Sequence, residues 1–409
     1  MNTLKSVTNR NVIFIVIVAS LGYFVDIYDL VIFSIVRIQS FRDIGISESE
    51  MRTGGEYVLN MQMGGLLLGG IIWGIIGDKF GRIKVLFGSI LMYSFANMAN
   101  AYVGNINSYA IIRFIAGVGL AGELGAGITL VSESMHKDKR GYGTMMVAVV
   151  GVLGALAAFW VARHFDWRNA YIVGGCMGIV LLALRLGTFE SELFKTTAGQ
   201  NIAKGKFSML FATRERFLRY LYCLLIGLPI WFVVGIFVTQ APEFGKALGA
   251  AETLSAGKGI LYTYIGISLG DLLAGLMAQI LRSRKFAVFI FQVGIIISSV
   301  WYLSSTGINP EKFHRLAFFM GLGVGYWATF VTIASEQFGI NLRATVTTTA
   351  PNFVRGALIP STFLFEFFVR RYNIITAGYI MIFLLTAIAL FALTQLKESF
   401  NKDLNYLEE

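Results

Sequence analysis

The sequence predicts an all-α membrane protein: twelve transmembrane helices in two six-helix halves. Three observations lead there. First, 56% of the 409 residues are hydrophobic and only 14% are charged, where a soluble chain carries about 25%. Second, apolar stretches of about 20 residues, enough to cross a hydrocarbon core of about 30 Å, recur along the whole chain. Third, a polar, basic segment at 189–215 divides those stretches six and six.

The predicted spans of the first half are 11–36, 54–77, 84–103, 108–132, 142–163 and 169–188. Those of the second are 216–240, 256–281, 286–305, 313–335, 345–369 and 374–396. The domains are therefore 1–188, a cytoplasmic linker at 189–215, and 216–409. Glycine is abundant (45) and proline scarce (5), as suits membrane helices that approach one another closely. Lys5 and Arg10 before an apolar run resemble a signal peptide. No small-residue cleavage site follows and the run is too long, so it reads as the first span.

Orientation follows from the basic residues. With the N-terminus inside, 21 Lys and Arg fall at the inner side and 11 at the outer; Arg113 and Arg355 lie within spans. That bias predicts an inner (plasma) membrane protein with both termini cytoplasmic. The net charge of +10 is accounted for by these loops, so nucleic acid is not an expected partner.

The halves look related. Span 4 runs from Arg113 to Ser132-Glu133, and span 10 from Arg315 to Ser335-Glu336. In each an arginine stands seven residues beyond the glutamate, Arg140 and Arg343. Two repeated six-helix halves are the pattern of a transporter with its site between them near the membrane midplane.

The loop after span 2 reads GDKFGRIK, 77–84. From Gly74 on, it resembles the signature of the major facilitator superfamily, Gly-x-x-x-Asp-[Arg/Lys]-x-Gly-Arg-[Arg/Lys], with Ile83 the one departure. The resemblance implies a cytoplasmic latch of charge pairs and helix dipoles involving Asp78, Arg82, Glu133 and Arg140. Glu336 and Arg343 would echo it in the second half. There the signature is a remnant, with Gln279 in the place of Asp78 and then Arg282, Arg284 and Lys285.

Shorter stretches narrow the resemblance. VDIYDLVIF (25–33) resembles the helix 1 element of aromatic-acid/proton symporters, and sugar porters share its second Asp. RFIAGVGLAGELG (113–125) is similar to helix 4 of sugar porters and organic-ion transporters, and 336–360 to their helix 10–11 region. Helix 5 carries GVLGALAAF and lacks the Gly-Pro pair of drug/proton antiporters, which argues for symport.

A charge inside a span needs a partner or a watered cavity. Asp26 and Asp29 are three residues apart and share a helix face. Asp29 lies about 27 Å along span 1, at a depth compatible with Arg113, and the resemblance implies that the two pair. A carboxylate beside a guanidinium stays ionised; parted from it in apolar surroundings it takes up a proton. Asp29, Arg113, Asp26 and Glu123 are the proton-coupling candidates. Glu123 is expected to face the central cavity, as proton site, substrate contact or structural acid. Arg355, about 15 Å into span 11, suits a carboxylate held by paired hydrogen bonds, with Asp271 as the rival partner. Glu366, on the same helix, is too distant. Asp271, open to the same three roles as Glu123, joins Trp231, Tyr262 and Trp327 among the substrate-binding candidates, with Tyr264 and Tyr326 as further aromatics.

The expected function is secondary active transport: proton-coupled symport of a small organic anion, a carboxylate, by alternating access. The alternatives are a sugar, polyol or other neutral solute, and a non-transporting sensor on the same scaffold. Against a sugar, 189–195 (FESELFK) lacks the Pro-Glu-Ser-Pro-Arg element of sugar porters. No catalytic triad, phosphate loop or metal cluster is visible, so neither an enzyme nor a cofactor is expected. Cys176 and Cys223 fall in apolar runs and read as packing residues; His136, His164 and His314 fall at loops or helix ends. The expected partners are substrate, protons and the bilayer, around a monomer.

Overall fold

The computed structural model describes residues 9–80, 82–135, 140–185, 207–400 and 408, with side chains left out at a few positions within those ranges. Seven helices build the first half: α1 (Asn9–Asp43), α2 (Met51–Phe80), α3 (Arg82–Asn100), α4 (Ile106–Leu120), α5 (Glu123–Ser134), α6 (Arg140–His164) and α7 (Trp167–Arg185). The second half holds α8 (Arg214–Leu225), α9 (Leu228–Phe232), a π turn (Val233–Val238), α10 (Ala241–Ala247), α11 (Ala256–Ile280) and α12 (Arg284–Leu303). It closes with α13 (Pro310–Val324), α14 (Trp327–Glu336), α15 (Ile340–Gly356), α16 (Leu358–Arg371) and α17 (Ile374–Gln395).

Ten stretches among the described residues are long and apolar enough to cross a membrane. The two predicted spans outside that set are α3, which opens on Arg82 and Lys84, and α15–α16, diluted by threonines, Arg343, Arg355 and Glu366. Both pack as helices in the bundle nonetheless.

The spans are less regular than the hydropathy suggests, because span 4 is α4 followed by α5 and span 10 is α13 followed by α14. At the first break the Trp73 indole donates to the Val118 carbonyl at 2.6 Å, and the Gly122 N–H turns to Gly119 instead. Asn352, from the other half, donates to the Ala121 carbonyl at 3.0 Å. At the second break the Ala328 N–H is taken by the Asp271 carboxylate at 2.9 Å. Span 7 breaks at Gly227, where the Ile226 carbonyl accepts the Tyr326 hydroxyl at 2.8 Å and the Gln292 amide at 3.2 Å. Each break replaces lost helical hydrogen bonds with side-chain ones, as an irregular backbone inside a membrane requires.

The internal repeat is written in glycine contacts. Gly65 and Gly69 of α2 lie against the carbonyls of Phe114 and Val118, and Gly117 against that of Gln62. In the second half Gly266 and Gly270 of α11 lie against Phe318 and Leu322, and Gly321 against Thr263. A methyl group at any of the six would collide with backbone, so only glycine allows these helices to touch. This correspondence matches Arg113 with Ala317 rather than with Arg315, correcting the pairing read from the sequence.

Below, the terminal end of the bundle is the one where α1 begins and α17 stops; the other is the far end. Glu398, just beyond α17, caps α12. Burial works to raise its pKa, but the Ser283 hydroxyl and the N–H groups of Phe400, Arg284 and Lys285 outweigh it and hold the carboxyl below its ordinary value.

Candidate functional site

Five elements meet at the middle of the bundle: α1, α9, α11, α14 and α15. Arg355 stands at the end of α15, one residue before Gly356, and is buried. Its guanidinium lies 5.5 Å from the Trp231 ring and 5.5 Å from the Trp327 ring. The two indoles meet edge to face at 6.1 Å, so the cation is flanked by two π faces. Across the boundary between the halves, Asp26 of α1 places Oδ2 3.8 Å from Arg355 Nη2.

The hydrogen bonding of this cluster is incomplete. Arg355 makes one long contact, Nη1 to Asn352 Oδ1 at 3.4 Å. Its Nε and Nη2, both Asp26 carboxylate oxygens and both indole N–H groups lack a hydrogen-bond partner among the described residues. A guanidinium carries five donors, and buried polar groups are ordinarily satisfied. Donors, cation and carboxylate therefore converge on one place with their bonding capacity largely unused. Tyr23 and Tyr264 lie within electrostatic reach of both charges.

Asp29 and Arg113 make a second pair inside the first half, directly hydrogen-bonded, with Asp29 Oδ2 and Arg113 Nε left without a partner among the described residues. Arg113 Nη1 donates to Asp29 Oδ1 at 2.9 Å and to Asn97 Oδ1 at 3.1 Å, and Nη2 donates to the Asp29 carbonyl at 2.7 Å. Tyr171 covers the guanidinium at 5.5 Å.

Three expectations are corrected. Glu123 does not face the centre. It opens α5 and forms a buried, two-pronged ion pair with Arg185 of α7, beside Gly22. Its partner Arg185 ends an apolar run and folds inward, 1% exposed. Asp271 is not the partner of Arg355, since its carboxylate is spent on the N-terminus of α14. Tyr262 does not line the centre: it is 37% exposed on the outside of α11, stacked at 4.9 Å on His314. Where a helix is apolar all round, sequence does not say which face is inward.

At the far end the halves are tied by polar contacts. Arg37 donates to Glu243 at 2.8 Å and to the Thr239 carbonyl at 3.2 Å. Gln240 donates to Glu56 at 2.6 Å, and Arg52 bridges Glu56 and Glu366. At the terminal end, Glu336 pairs with Arg284 at 2.6 Å, while Arg343 donates to the carbonyls of Ser335 and Phe338 at 3.2 and 3.3 Å. The side chains of Asp78, Arg82, Glu133 and Arg140 lie outside the described residues, as does His136. Of the residues that sequence reasoning missed, Arg37, Arg52, Glu56 and Glu243 resembled ordinary loop-proximal charges. Arg284 was visible as the remnant of the signature.

Residues 14–356 match the family model described as Major Facilitator Superfamily. The chain belongs to the major facilitator superfamily. Within it, a niacin transporter, NiaP of Acinetobacter baylyi, is 30% identical over 371 residues, 80% of each chain. A 4-hydroxybenzoate transporter, PcaK of the same organism, is 28% identical over 200 residues, 46% of this chain and 42% of that one. Among solved structures, the xylose transporter XylE from E. coli superposes with a TM-score of 0.75 at 17% identity, covering 97% of this chain and 100% of that one. At that identity the likeness concerns the fold. The superfamily consists of multi-pass membrane carriers of small molecules and not of enzymes, and this chain is one of its transporters.

Proposed function

We propose that this superfamily member is a proton-coupled symporter of small organic anions, with a planar or aromatic carboxylate as cargo. The observation that carries this reading is the underbonded Arg355 between Trp231 and Trp327. A carboxylate accepts paired hydrogen bonds from a guanidinium, and two indole N–H groups offer further donors. Aromatic walls suit a flat apolar body. Niacin and 4-hydroxybenzoate, the cargoes that the two relatives are named for, are aromatic carboxylic acids of this shape. A neutral sugar would leave the guanidinium charge uncompensated by the cargo.

The same reading sets the protein in the inner (plasma) membrane as a monomer, termini cytoplasmic, so that the far end is the outer end. The far-end ties then close the outer entrance. Asp78, Arg82, Glu133 and Arg140, with Glu336 and Arg343, form the inner latch, and Arg284 joins it. The basic-residue bias and the signature support this arrangement.

The test is uptake by purified protein in liposomes across a panel of nicotinate, 4-hydroxybenzoate, an aliphatic dicarboxylate and xylose, with and without an inside-alkaline pH gradient. Gradient-driven accumulation of the aromatic monocarboxylates, lost in Arg355→Lys, is expected. Accumulation of xylose alone would overturn the reading.

A further inference from the structure

Resting on that anion site, we propose that Asp26 is the proton carrier, and that it works by competing with the cargo carboxylate for Arg355. Asp26 is the only carboxylate among the described residues that forms an ion pair with Arg355. The pair spans the two halves, with α1 on one side and α15 on the other. At 3.8 Å and without a hydrogen bond in either direction, it is a charge contact that a better-bonded anion can displace.

The neighbours of Asp26 single it out. On its own helix, Asp29 is bound to Arg113. From α5, Glu123 is bound to Arg185. From α11 and α14, Asp271 is bound to the Ala328 N–H. Tyr23, Tyr93 and Tyr264 are the remaining titratable groups within electrostatic reach, and none carries charge at neutral pH. Of the five buried carboxylates among the described residues, Asp29, Glu56, Glu123 and Asp271 have partners within their own half, Glu56 through Arg52. Asp26 alone relies on a cation in the opposite half.

The charge balance fixes the coupling. Empty, the site holds Asp26 as carboxylate and Arg355 as guanidinium, with net charge zero. A cargo anion that hydrogen-bonds Arg355 leaves Asp26 as an unpaired carboxylate in an apolar interior, which is costly until it is protonated. One proton enters from solution, becomes bound to an Asp26 oxygen, and the site again sums to zero. Release reverses both events: the cargo departs, the proton returns to solution and Asp26 recovers Arg355. Each monocarboxylate therefore moves with one proton, and neither the empty nor the occupied site carries net charge across the membrane.

The experiment uses nicotinate and 4-hydroxybenzoate as probes of the full chain. Binding to detergent-solubilised wild type is followed by tryptophan fluorescence, for which Trp231 and Trp327 are the reporters. Affinity should fall about tenfold per pH unit once Asp26 is ionised in the empty protein, and Asp26→Asn should bind with no such slope. In weakly buffered solution the wild type should take up one proton per anion bound, a count that needs no variant and stands even where Asp26→Asn fails to fold. In liposomes, Asp26→Asn should exchange nicotinate between equal pools but not accumulate it. A potassium-diffusion potential should leave the wild-type initial rate unchanged. Binding of the anions with Asp26→Asn retaining the pH slope and the accumulation overturns the Asp26 assignment and leaves the anion site standing. So does potential-driven uptake, or a proton count other than one. Failure of the wild type to bind either anion at any pH overturns both.

Discussion

Arg37 of α1 and Glu243 of α10 form an ion pair at 2.8 Å that ties one half of the molecule to the other at the far end. Arg37 is buried, and the same guanidinium also holds the carbonyls of Met51 and Thr239. Beside it, the hydroxyls of Thr239 and Ser34 meet across the boundary at 3.1 Å. Charge-assisted hydrogen bonds of this kind contribute about 1.5–3 kcal/mol, so Glu243→Gln should shift the balance toward far-end opening by roughly 10–100-fold. Maleimide labelling of a cysteine placed at Ser34 reads that opening directly. Equal labelling rates with and without Glu243→Gln would remove this pair from the gate.

Asp271 supports the site at one remove. Its carboxylate accepts the Ala328 N–H at 2.9 Å and so anchors the start of α14, whose first residue is Trp327. Asp271→Ala removes the acceptor; loss of such a cap costs about 1 kcal/mol of stability, and Trp327 loses its fixed place beside Arg355. Anion affinity should fall several-fold. Asp271→Asn keeps an acceptor oxygen and should bind nearly as the wild type does. Were Asp271 a direct charge partner of cargo or Arg355, the asparagine variant would fail as badly as the alanine one, and titration of the two with nicotinate decides.

Glu123 and Arg185 should matter for folding more than for binding. The pair is buried and lies within the first half, closed over by Gly22. Removing one partner of a buried ion pair typically costs about 3–5 kcal/mol, so Glu123→Gln should lower the melting temperature markedly while leaving nicotinate affinity in the surviving folded protein close to wild type. Gly22→Ala strikes the same pair without altering a charge, because its methyl group would overlap the Glu123 carboxylate and the Arg185 guanidinium. It should destabilise in the same direction. A thermally robust Glu123→Gln protein that no longer binds anions would return Glu123 to the cargo site.

Much of the fold was legible because hydropathy and loop charge are one-dimensional signals. The positions of the spans and the superfamily signature could both be read in order along the chain. The helix breaks were not, since Gly122, Gly227 and Gly325 look like any of the packing glycines around them. What breaks the helices is supplied from afar, by Trp73, Gln292, Tyr326, Asn352 and Asp271. At the site, Arg355 announced itself as a charge in mid-span. Trp231 and Trp327 were among the substrate-binding candidates, but the contact with Asp26 was not foreseen, because it comes from a helix more than 300 positions earlier. Arg185 ends an apolar run, where a basic residue is usually topological, and here it is internal.

The glycine seams have a consequence for how such a molecule diversifies. In both halves these close helix contacts are made against bare backbone, Gly65 and Gly69 against Phe114 and Val118, Gly266 and Gly270 against Phe318 and Leu322. Those contacts say nothing about the side chains that project toward the centre from α1, α9 and α15. These seams therefore draw on positions other than Arg355, Trp231 and Trp327. Replacing Trp231 or Trp327 changes the surroundings of Arg355 and alters none of these glycines, whereas one added carbon at any of them would meet the backbone of the neighbouring helix. Assembly at these seams depends on the absence of side chains, and the surroundings of Arg355 depend on their presence.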